Sequence, residues 1–391
     1  MLTEPFAKAL AEAEEIIKNA PHISTSQDLA EGYDYLAGCV QGVLRIAWTY
    51  DLDFPAFVAS TGPYTKMGLD NPDTLYFHAS LRDDAEYVVT GRRGTTTDLS
   101  FQVLKGDYSP ANVPGSLSAF DDREIDIAAD GSFEVRFGPR ENAGRNYFTL
   151  GPGSSMLAVR EVYSDWAAEH RGTIAIRRAD KAGRAPKPPD EAGIAKRYAV
   201  AGKMLRARLN TFLAFPGWFY LNLPVNTLTE PRPTPGGLSS QFSAVGHYDL
   251  GDDQAMIITV PVAGRDVAPY QGLQLGSMWY ISLDYANHQT SLTAGQASTD
   301  PDGRQRFVIS ARDPGVANWL ETTGHRRGYI QHRWQRLTRD LEPADGPTAE
   351  VVAFDDVPSV LPYYELAKVT PDEYTARIAA RQAAVAARML G

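Results

Sequence analysis

One cysteine, Cys39, occurs among the 391 residues of the sequence. A single cysteine excludes an internal disulfide bond and any metal or redox site built on a Cys-x-x-Cys pair. The residue lies in an apolar helical pattern, so we interpret it as a small buried side chain and not as a reactive thiol. No run of about 18 apolar residues could cross a membrane, and the amphipathic N-terminus lacks the apolar segment of a signal peptide. We therefore expect a cytoplasmic protein.

Basic residues are outnumbered by acidic ones, 38 Lys and Arg against 48 Asp and Glu, which gives a net charge of -10. This balance argues against nucleic acids and anionic membranes as partners, because both favour basic surfaces. We expect a small-molecule substrate or ligand instead. A chain of 391 residues is also too long for one ordinary core, so its length predicts two domains.

The motifs of several large enzyme classes are absent. The sequence has no Gly-x-Ser-x-Gly nucleophile elbow, no His-Glu-x-x-His, no P-loop and no Gly-x-Gly-x-x-Gly between a strand and a helix. His325 and His332 are seven residues apart, and on a strand this odd separation puts them on opposite faces. They could share a metal only if His325 lay in the preceding loop. We expect neither a metal site nor an organic cofactor.

Hydrophobic periodicity divides the chain into five parts. Apolar residues at helical spacing predict two helices in residues 1–50, and short alternating runs over 51–180 predict an antiparallel β-sandwich lobe. A segment rich in proline and charge, followed by a long helix, forms a predicted linker over 181–240. A second strand series predicts another β-sandwich lobe over 241–355. A helix in 356–391, with a predicted capping box of Thr370 and Glu373, is expected to serve packing or a contact between subunits, as in a homodimer.

The predicted fold class is α+β and mainly β, with two jelly-roll-like antiparallel β-sandwich lobes that are related by an internal duplication and flanked by helices. The duplication is visible in DGSFEVRFGPRENAGRNY, which starts at Asp130, and DGRQRFVISARDPGVANW, which starts at Asp302. The offset is 172 residues (302 − 130). It superimposes several matched residues: Arg140 on Arg312, Asn146 on Asn318, and Tyr147 on Trp319.

The duplication sorts the candidate residues, because a residue kept in both copies is expected to serve the scaffold. We therefore interpret Arg312 first as an arginine that pairs with a carboxylate, and Asn318 as a side chain that closes a turn. His325 lies in the turn TGHRRG, where it and the two arginines could hold an anion, although a solvated turn is the simpler interpretation. The residues without a twin are the better functional candidates: Asn71, Asp73, His288 and His325.

The stretch WYISLDYANHQTSL begins as a predicted strand and then brings four polar or aromatic residues close together in sequence: Asp284, Tyr285, Asn287 and His288. On a straight strand Asp284 and His288 would stand about 13 Å apart, four residues at roughly 3.3 Å each, too far for a hydrogen bond. His288 therefore needs either a bend at Tyr285 or a carboxylate from another strand. An imidazole in such company suits general acid/base chemistry, because it titrates near neutrality. A polar network that joins strand to loop is the alternative.

The stretch GLDNPDTLYFH contains more turn-forming side chains than one turn needs. Asn71 and Asp73 flank a proline, and a surplus carboxylate there could act as a general base or accept a hydrogen bond from a substrate. Tyr76 and His78 share one face of the following strand by parity. That polar and aromatic face would suit a pocket wall, although a solvent-facing sheet has the same pattern.

Several separated strings resemble one bacterial family: GLDNPDTLYFHASL, EYVVTGRRG, SMWYISLDYANHQTSL and DGRQRFVISARDPGVANWLETTGHRRGYIQHRW. They are similar to the family catalogued as domain of unknown function 1214, preceded by a region similar to domain of unknown function 1254, over roughly residues 51–334. The resemblance implies a two-lobed, β-rich fold with jelly-roll-like sheets and additional helices. It implies no reaction, because the family lacks an assigned one.

These observations predict a cofactor-independent acid/base enzyme of the hydrolase, lyase or isomerase type, which acts on a small oxygenated metabolite in a β-lined cleft between the lobes. His288 is the predicted acid/base, assisted by Tyr285 and Asp73, while Asn71 and Asn287 contact the substrate. The other predicted substrate contacts are Arg312, Asn318, Trp319 and His325. The first alternative is a non-catalytic protein that binds a carbohydrate or a hydrophobic metabolite, and the second is a structural oligomer.

Overall fold

The structure, a computed structural model, describes residues 1–106, 115–141, 143–234 and 241–390. Two helices open the chain, α1 (Glu4–Lys18) and α2 (Ser26–Thr49). A capping box starts α2: the Thr25 hydroxyl accepts a hydrogen bond from the Asp28 amide, and the Asp28 carboxylate accepts one from the Thr25 amide. This exchange fixes the residue at which α2 begins.

The first lobe is a β-sandwich. Within the described part of the chain its strands are β1 (Val58–Thr61), β2 (Thr74–Ser80), β3 (Tyr87–Arg92), β4 (Asp98–Lys105), β5 (Gly115–Asp121), β6 (Ser132–Gly138), β7 (Tyr147–Thr149), β8 (Ser154–Val162) and β9 (Thr173–Arg178). The large sheet has the order β1-β2-β8-β4-β5, and the small sheet has the order β7-β6-β3-β9. Alternation along each strand directs one face of each sheet inward, where Phe101, Val135 and Leu157 belong to one buried core.

The long helix α3 (Glu191–Phe219) connects the first lobe to a second β-sandwich. Its strands, again among the described residues, are β10 (Thr227–Leu228), β11 (Arg232–Pro233), β12 (Phe242–Asp249), β13 (Gln254–Pro261), β14 (Tyr270–Ser277), β15 (Ile281–Ser282), β16 (Ser291–Thr293), β17 (Arg304–Ser310), β18 (Trp319–Glu321), β19 (Arg327–Gln335) and β20 (Thr348–Ala353). The large sheet is built on the order β10-β12-β19-β14-β15, and the small sheet has the order β18-β17-β13-β20. Because β10 and β11 pair with β12, the second lobe includes the end of the segment expected to be linker.

Strand pairing repeats between the lobes with the offset read from the sequence. In the first lobe β6 runs parallel to β7 with Arg136 opposite Tyr147, and in the second lobe β17 runs parallel to β18 with Val308 opposite Trp319. The strand orders of the two small sheets also correspond. The predicted fold class, mainly β with flanking helices and two duplicated sandwich lobes, is therefore confirmed.

Three helices close the chain: α4 (Val357–Val360), α5 (Tyr364–Ala367) and α6 (Pro371–Leu390). The first two cover the outer face of the small sheet of the second lobe. The predicted capping box of α6 is present, because the Thr370 hydroxyl and the Glu373 carboxylate each accept from the other residue's amide. The helix then packs where the lobes meet, with the Arg381 and Arg388 guanidinium groups 4.6 and 4.1 Å from the ring centre of Trp166. No helix of the described chain combines the length and apolarity that a membrane span requires.

The predicted strand over residues 279–284 forms only at Ile281–Ser282, and its other residues are not in a strand. Trp279 and Tyr280 lie in a turn between β14 and the two-residue β15, and Tyr280 has a positive φ of 58°. The chain reverses here so that Ser282 can pair with Gly276 on β14. The turn also sends the Trp279 indole to α2, where it donates a hydrogen bond to the Asp28 carbonyl at 2.8 Å. Because the turn is packed on both sides, Trp279 and Tyr280 are both buried and do not alternate between a buried face and an exposed face.

Candidate functional site

The segment before β2 joins the two lobes through its backbone. The Leu69 amide donates to the Tyr280 carbonyl at 2.6 Å, and the Leu69 carbonyl accepts from Nη2 of Arg333 at 2.6 Å. The Asp70 carboxylate accepts from the amide of Ser282 at 3.1 Å and from its hydroxyl at 2.9 Å. Side chains and backbone of the second lobe therefore hold this predicted turn at the junction between the lobes.

Asn71 and Asp73 are buried at the same junction. Oδ1 of Asp73 accepts from the Trp166 indole and Oδ2 accepts from the Tyr270 hydroxyl, both at 2.7 Å. The Asn71 side-chain amide donates to the same Tyr270 oxygen at 2.9 Å. Burial raises the pKa of Asp73, while the hydrogen bond from Tyr270 acts in the opposite direction. Since a donor of the fold already occupies each carboxylate oxygen, Asp73 stabilises the junction and is poorly placed to act as a general base.

Tyr285 is packed inside the junction and is not free to hold a substrate from an open cleft. Its ring centre lies 6.1 Å from that of Trp166, and Nζ of Lys66 lies 5.1 Å from the Tyr285 ring centre. The Tyr285 carbonyl accepts two hydrogen bonds from Arg381 of α6, at 3.2 and 3.0 Å. Burial raises the pKa of the Tyr285 hydroxyl. The structure thus brings Tyr285 next to the Trp166 ring that also contacts Asp73.

His288 is oriented by a carboxylate from another strand. A turn follows β15, in which the Asp284 carboxylate accepts from the Ala286 and Asn287 amides, each at 3.1 Å. The chain therefore bends, but the turn itself uses the Asp284 carboxylate. Nδ1 of His288 instead lies 2.8 Å from Oε2 of Glu321 on β18. The sequence indicated that such a partner was needed and could not name it.

The His288–Glu321 pair lies near the protein surface beside α6. The His288 side chain is 42% exposed and that of Glu321 is 22% exposed. Asn287 is exposed as well, and its side-chain oxygen accepts from the Gln382 side chain of α6 at 3.1 Å. This location leaves the imidazole accessible from solvent.

Three predicted substrate contacts have structural roles. The Asn318 side chain donates to the Ser298 carbonyl and accepts from the Ser298 amide, both at 2.8 Å. Trp319 belongs to the buried cluster between the small sheet and the C-terminal helices. The Arg312 guanidinium lies 4.1 Å from the ring centre of Phe354. Each side chain is engaged by the scaffold of the second lobe.

His325 connects α2 to the second lobe. It lies in the turn before β19, with Nε2 2.9 Å from Oε1 of Glu31 and Nδ1 3.8 Å from Oδ1 of Asp28. His332 lies on β19 itself, where burial lowers its pKa to about 3. Within the part of the chain that the structure describes, no group of three or more His, Cys, Asp and Glu side chains is arranged to hold a metal ion.

A second group of polar side chains collects on the outer face of the first lobe's large sheet. Tyr76 and His78 share this face of β2, as parity predicts, and Arg160 is the neighbour of Tyr76 on β8. Arg333 of β19 and Arg160 both act electrostatically on Tyr76, while Arg160 and Arg208 of α3 act on His78. We call these five residues the interlobe cluster.

The interlobe cluster is enclosed but retains accessible surface. Arg208 and Arg333 are buried, whereas Tyr76, His78 and Arg160 are only half-buried. Burial lowers the pKa of His78 to about 4, and the positive charges of Arg160 and Arg208 act in the same direction. The His78 ring is therefore surrounded closely enough to favour its neutral form, and part of its surface stays accessible.

The sequence carried a signal for one of the three arginines. Arg208 follows Leu205 by three residues and directly precedes Leu209 in the apolar stripe of α3, so helical periodicity places it on the buried side. Arg160 lies on β8 between Val159 and Glu161, a pattern that a solvent-facing position shares. Only the pairing of β8 with β2 shows that Arg160 lies beside Tyr76.

Comparisons with known proteins place the fold but name no activity. No family model matches the chain, and no curated protein matches it. The chain is similar to the crystal structure of an uncharacterized protein from Burkholderia cenocepacia, with 28% identity and a TM-score of 0.79 over 90% of this chain and 96% of that one. The VPA0106 protein from Vibrio parahaemolyticus has 13% identity and a TM-score of 0.44, over 87% of this chain and 100% of that one. The resemblance to domains of unknown function 1214 and 1254 therefore stays a prediction.

Proposed function

We propose that the protein binds a small polar metabolite at the interlobe cluster. The observation that carries this proposal is the environment of His78, which lowers the pKa of the ring to about 4 while the side chain keeps accessible surface. Recesses where two lobes meet, lined by a few convergent polar groups, are common ligand sites. This proposal takes up the binding alternative drawn from the sequence, a carbohydrate or a hydrophobic metabolite, and favours a polar ligand over a hydrophobic one.

The groups of the cluster suit ligand recognition better than proton transfer. Nδ1 of His78 lies 3.0 Å from the Ser60 hydroxyl, and the Tyr76 hydroxyl accepts a hydrogen bond from the Asn71 amide at 2.9 Å. Both side chains are therefore fixed in orientation by neighbours on the fold. Because the pKa of His78 lies far below neutrality, its ring would contribute hydrogen bonds and not a proton equilibrium near pH 7.

Thermal unfolding against a library of small metabolites tests this proposal. A matched control is available in His170→Asn, because His170 is exposed on the first lobe. We expect some compounds to raise the Tm of wild type and of His170→Asn by about 2–4 °C at ten times Kd, and the shift to be lost in His78→Asn. If the compounds that stabilise wild type stabilise His78→Asn equally, the ligand binds elsewhere and the proposal is wrong.

A second candidate function, acid/base catalysis, is favoured by the His288–Glu321 pair. When the neutral His288 ring donates from Nδ1 to the Glu321 carboxylate, Nε2 keeps the lone pair that a general base uses. The exposed imidazole can be reached by a substrate. Proton abstraction by Nε2 could begin the hydrolysis, elimination or isomerisation of a small oxygenated metabolite.

Kinetics on variants separate catalysis from binding alone. On any substrate found in an activity screen, His288→Ala should lower kcat by about 100-fold or more, whereas the exposed control His170→Ala should not change it. Glu321→Gln should have a smaller effect, because the amide can still contact the ring while it no longer favours the tautomer with the proton on Nδ1. Equal kcat in wild type and His288→Ala would eliminate this histidine as the acid/base.

A further inference from the structure

Arg208 is a buried cation whose donors are not all used. It is 6% exposed, and its Nη2 donates to the carbonyls of Thr65 and Lys66 at 3.1 and 3.0 Å. Its Nε and Nη1 are buried without a hydrogen-bond partner among the described residues. The backbone makes room for this group, because a Cβ atom at Gly42 would lie 2.4 Å from Nη1 of Arg208. Nη1 thus lies against α2, where Arg208 also acts electrostatically on Tyr35 and Cys39, and no carboxylate of the described residues forms an ion pair with this guanidinium.

The other two arginines of the interlobe cluster contact only neutral oxygen atoms. Nη1 of Arg160 donates to the side-chain oxygen of Gln102 at 2.8 Å. Arg333 donates to the side-chain oxygens of Gln274 and Gln331 and to the Leu69 carbonyl. Over the described ranges, no carboxylate forms an ion pair with Arg160, Arg208 or Arg333.

The nearby acids are engaged with other cations. Asp70 interacts electrostatically with Lys66, and its two oxygens accept the hydrogen bonds from Ser282 described above. Asp73 interacts with Arg381 and Arg388 of α6. The three arginines of the interlobe cluster therefore lack a carboxylate partner among the described residues, inside a chain whose net charge is -10.

Leaving these arginines without a carboxylate partner has an energetic cost. Removing a guanidinium from water without a compensating anion is costly, so buried charges in proteins are normally paired. Tyr76 and His78, the uncharged members of the interlobe cluster, can also donate hydrogen bonds. The Tyr76 hydroxyl accepts from the Asn71 amide and keeps its own proton to donate. If the Ser60 hydroxyl donates to Nδ1 of His78, then Nε2 of that ring carries a proton.

We propose that the ligand of the interlobe cluster is a small anion with a carboxylate or phosphate group, held by Arg160, Arg208 and Arg333. This inference rests on the proposed binding function and names the chemical class of its ligand. The planar guanidinium fork matches the oxygen atoms of either group. An anion bound there would supply the negatively charged acceptor that no described carboxylate supplies to these three arginines. Carboxylates and phosphates are distinguished by the test.

Thermal unfolding and calorimetric titration with citrate, succinate and inorganic phosphate test the inference. The anions are used at millimolar concentration against sodium chloride of matched ionic strength, because phosphate and citrate at high concentration stabilise most proteins. The variant is Arg160→Met, and its matched control is Arg177→Met, since Arg177 is exposed on β9. Arg160→Lys, which keeps a charge but loses the fork, replaces Arg160→Met if that variant does not fold.

We expect at least one of the three anions to raise the Tm of wild type and Arg177→Met by about 2–4 °C, and the shift to fall by half or more in the Arg160 variant. Equal shifts in all variants, or no shift in wild type beyond that of sodium chloride, would overturn the inference. The metabolite screen on His78→Asn keeps the two proposals apart. Neutral compounds that require His78, without any response to anions, would retain the binding function and reject the anionic ligand.

Discussion

Asn146 and Asn318 make the same pair of hydrogen bonds in the two lobes. Each side-chain amide donates to a backbone carbonyl, and each side-chain oxygen accepts from the amide of that same residue, Asp126 in the first lobe and Ser298 in the second. The two partner residues, Asp126 and Ser298, are 172 positions apart (298 − 126), which is the offset of the duplication. The repeated geometry identifies the asparagine as part of the scaffold.

Asn318→Ala should therefore lower the free energy of unfolding by about 1–3 kcal/mol, because it removes both hydrogen bonds between the buried Asn318 side chain and the Ser298 backbone. Asn146→Ala should cost less, since Asn146 is half-buried and water can replace its bonds. Chemical denaturation measures both, with the exposed Asn287→Ala as the control. If Asn318→Ala costs no more than Asn287→Ala, the scaffold role is wrong and Asn318 regains its place among the ligand contacts.

Tyr270→Phe should destabilise the junction between the lobes. The substitution removes the donor to Oδ2 of Asp73 and leaves a buried carboxylate with one fewer hydrogen bond, at a cost of about 1.5–3 kcal/mol. The loss should shrink as the pH falls, because a protonated Asp73 needs that donor less. Urea denaturation at several pH values measures it against Tyr50→Phe, whose side chain is exposed. A cost that does not differ from the control would show that the network contributes no stability.

The His288–Glu321 pair should contribute little to stability. Both side chains are partly exposed, so solvent screens their attraction, and a double-mutant cycle with His288→Ala and Glu321→Gln should give a coupling of about 0.5 kcal/mol. Added salt should reduce it further. A coupling above about 2 kcal/mol would instead indicate a structural connection between β18 and the turn after β15, which would weaken the catalytic candidate.

Asp98 should make stability depend on pH. Burial raises the pKa of Asp98 to about 7, with Asp121 and Asp122 acting in the same direction and Arg336 of the second lobe in the opposite one. Between the unfolded pKa, near 4, and the folded one, the folded state binds the proton more tightly. Its contribution is therefore present at low pH and is lost as the pH rises towards 7, by about 1 kcal/mol per pH unit.

Asp98→Asn removes this slope, because asparagine resembles the protonated acid at every pH. The difference in unfolding free energy between wild type and Asp98→Asn should thus fall from pH 4 to pH 7, while the exposed Asp252→Asn leaves the wild-type slope unchanged. Denaturant unfolding at four pH values measures the difference. A constant difference across this range would mean that Asp98 titrates normally in the folded protein.

Much of the architecture could be predicted from local patterns. Alternating polar and apolar residues predicted the strands of both lobes, and helical spacing predicted α1, α2, α3 and α6. Thr370 and Glu373 predicted the cap of α6. The prediction failed at Trp279 and Tyr280 because a residue with positive φ is set there by long-range contacts, among them the bond from Trp279 to α2. Local pattern cannot distinguish a buried hairpin turn from a strand when every residue in it is buried.

The candidate site, like the fold, could be predicted only in part from the sequence. The sequence by itself determined the duplication, and with it the assignment of Asn318 to the scaffold, because a repeated spacing survives in one dimension. It also predicted that His288 needs either a bend at Tyr285 or a carboxylate from another strand, because on a straight strand Asp284 is too far away. Only the tertiary structure decided that the Glu321 carboxylate contacts His288, that Arg160 and Arg208 act on His78, and that Arg333 acts on Tyr76. These residues come from two lobes and a helix, and their charges interact only when the packing of β2 against β8 and of α3 at the junction removes the water between them.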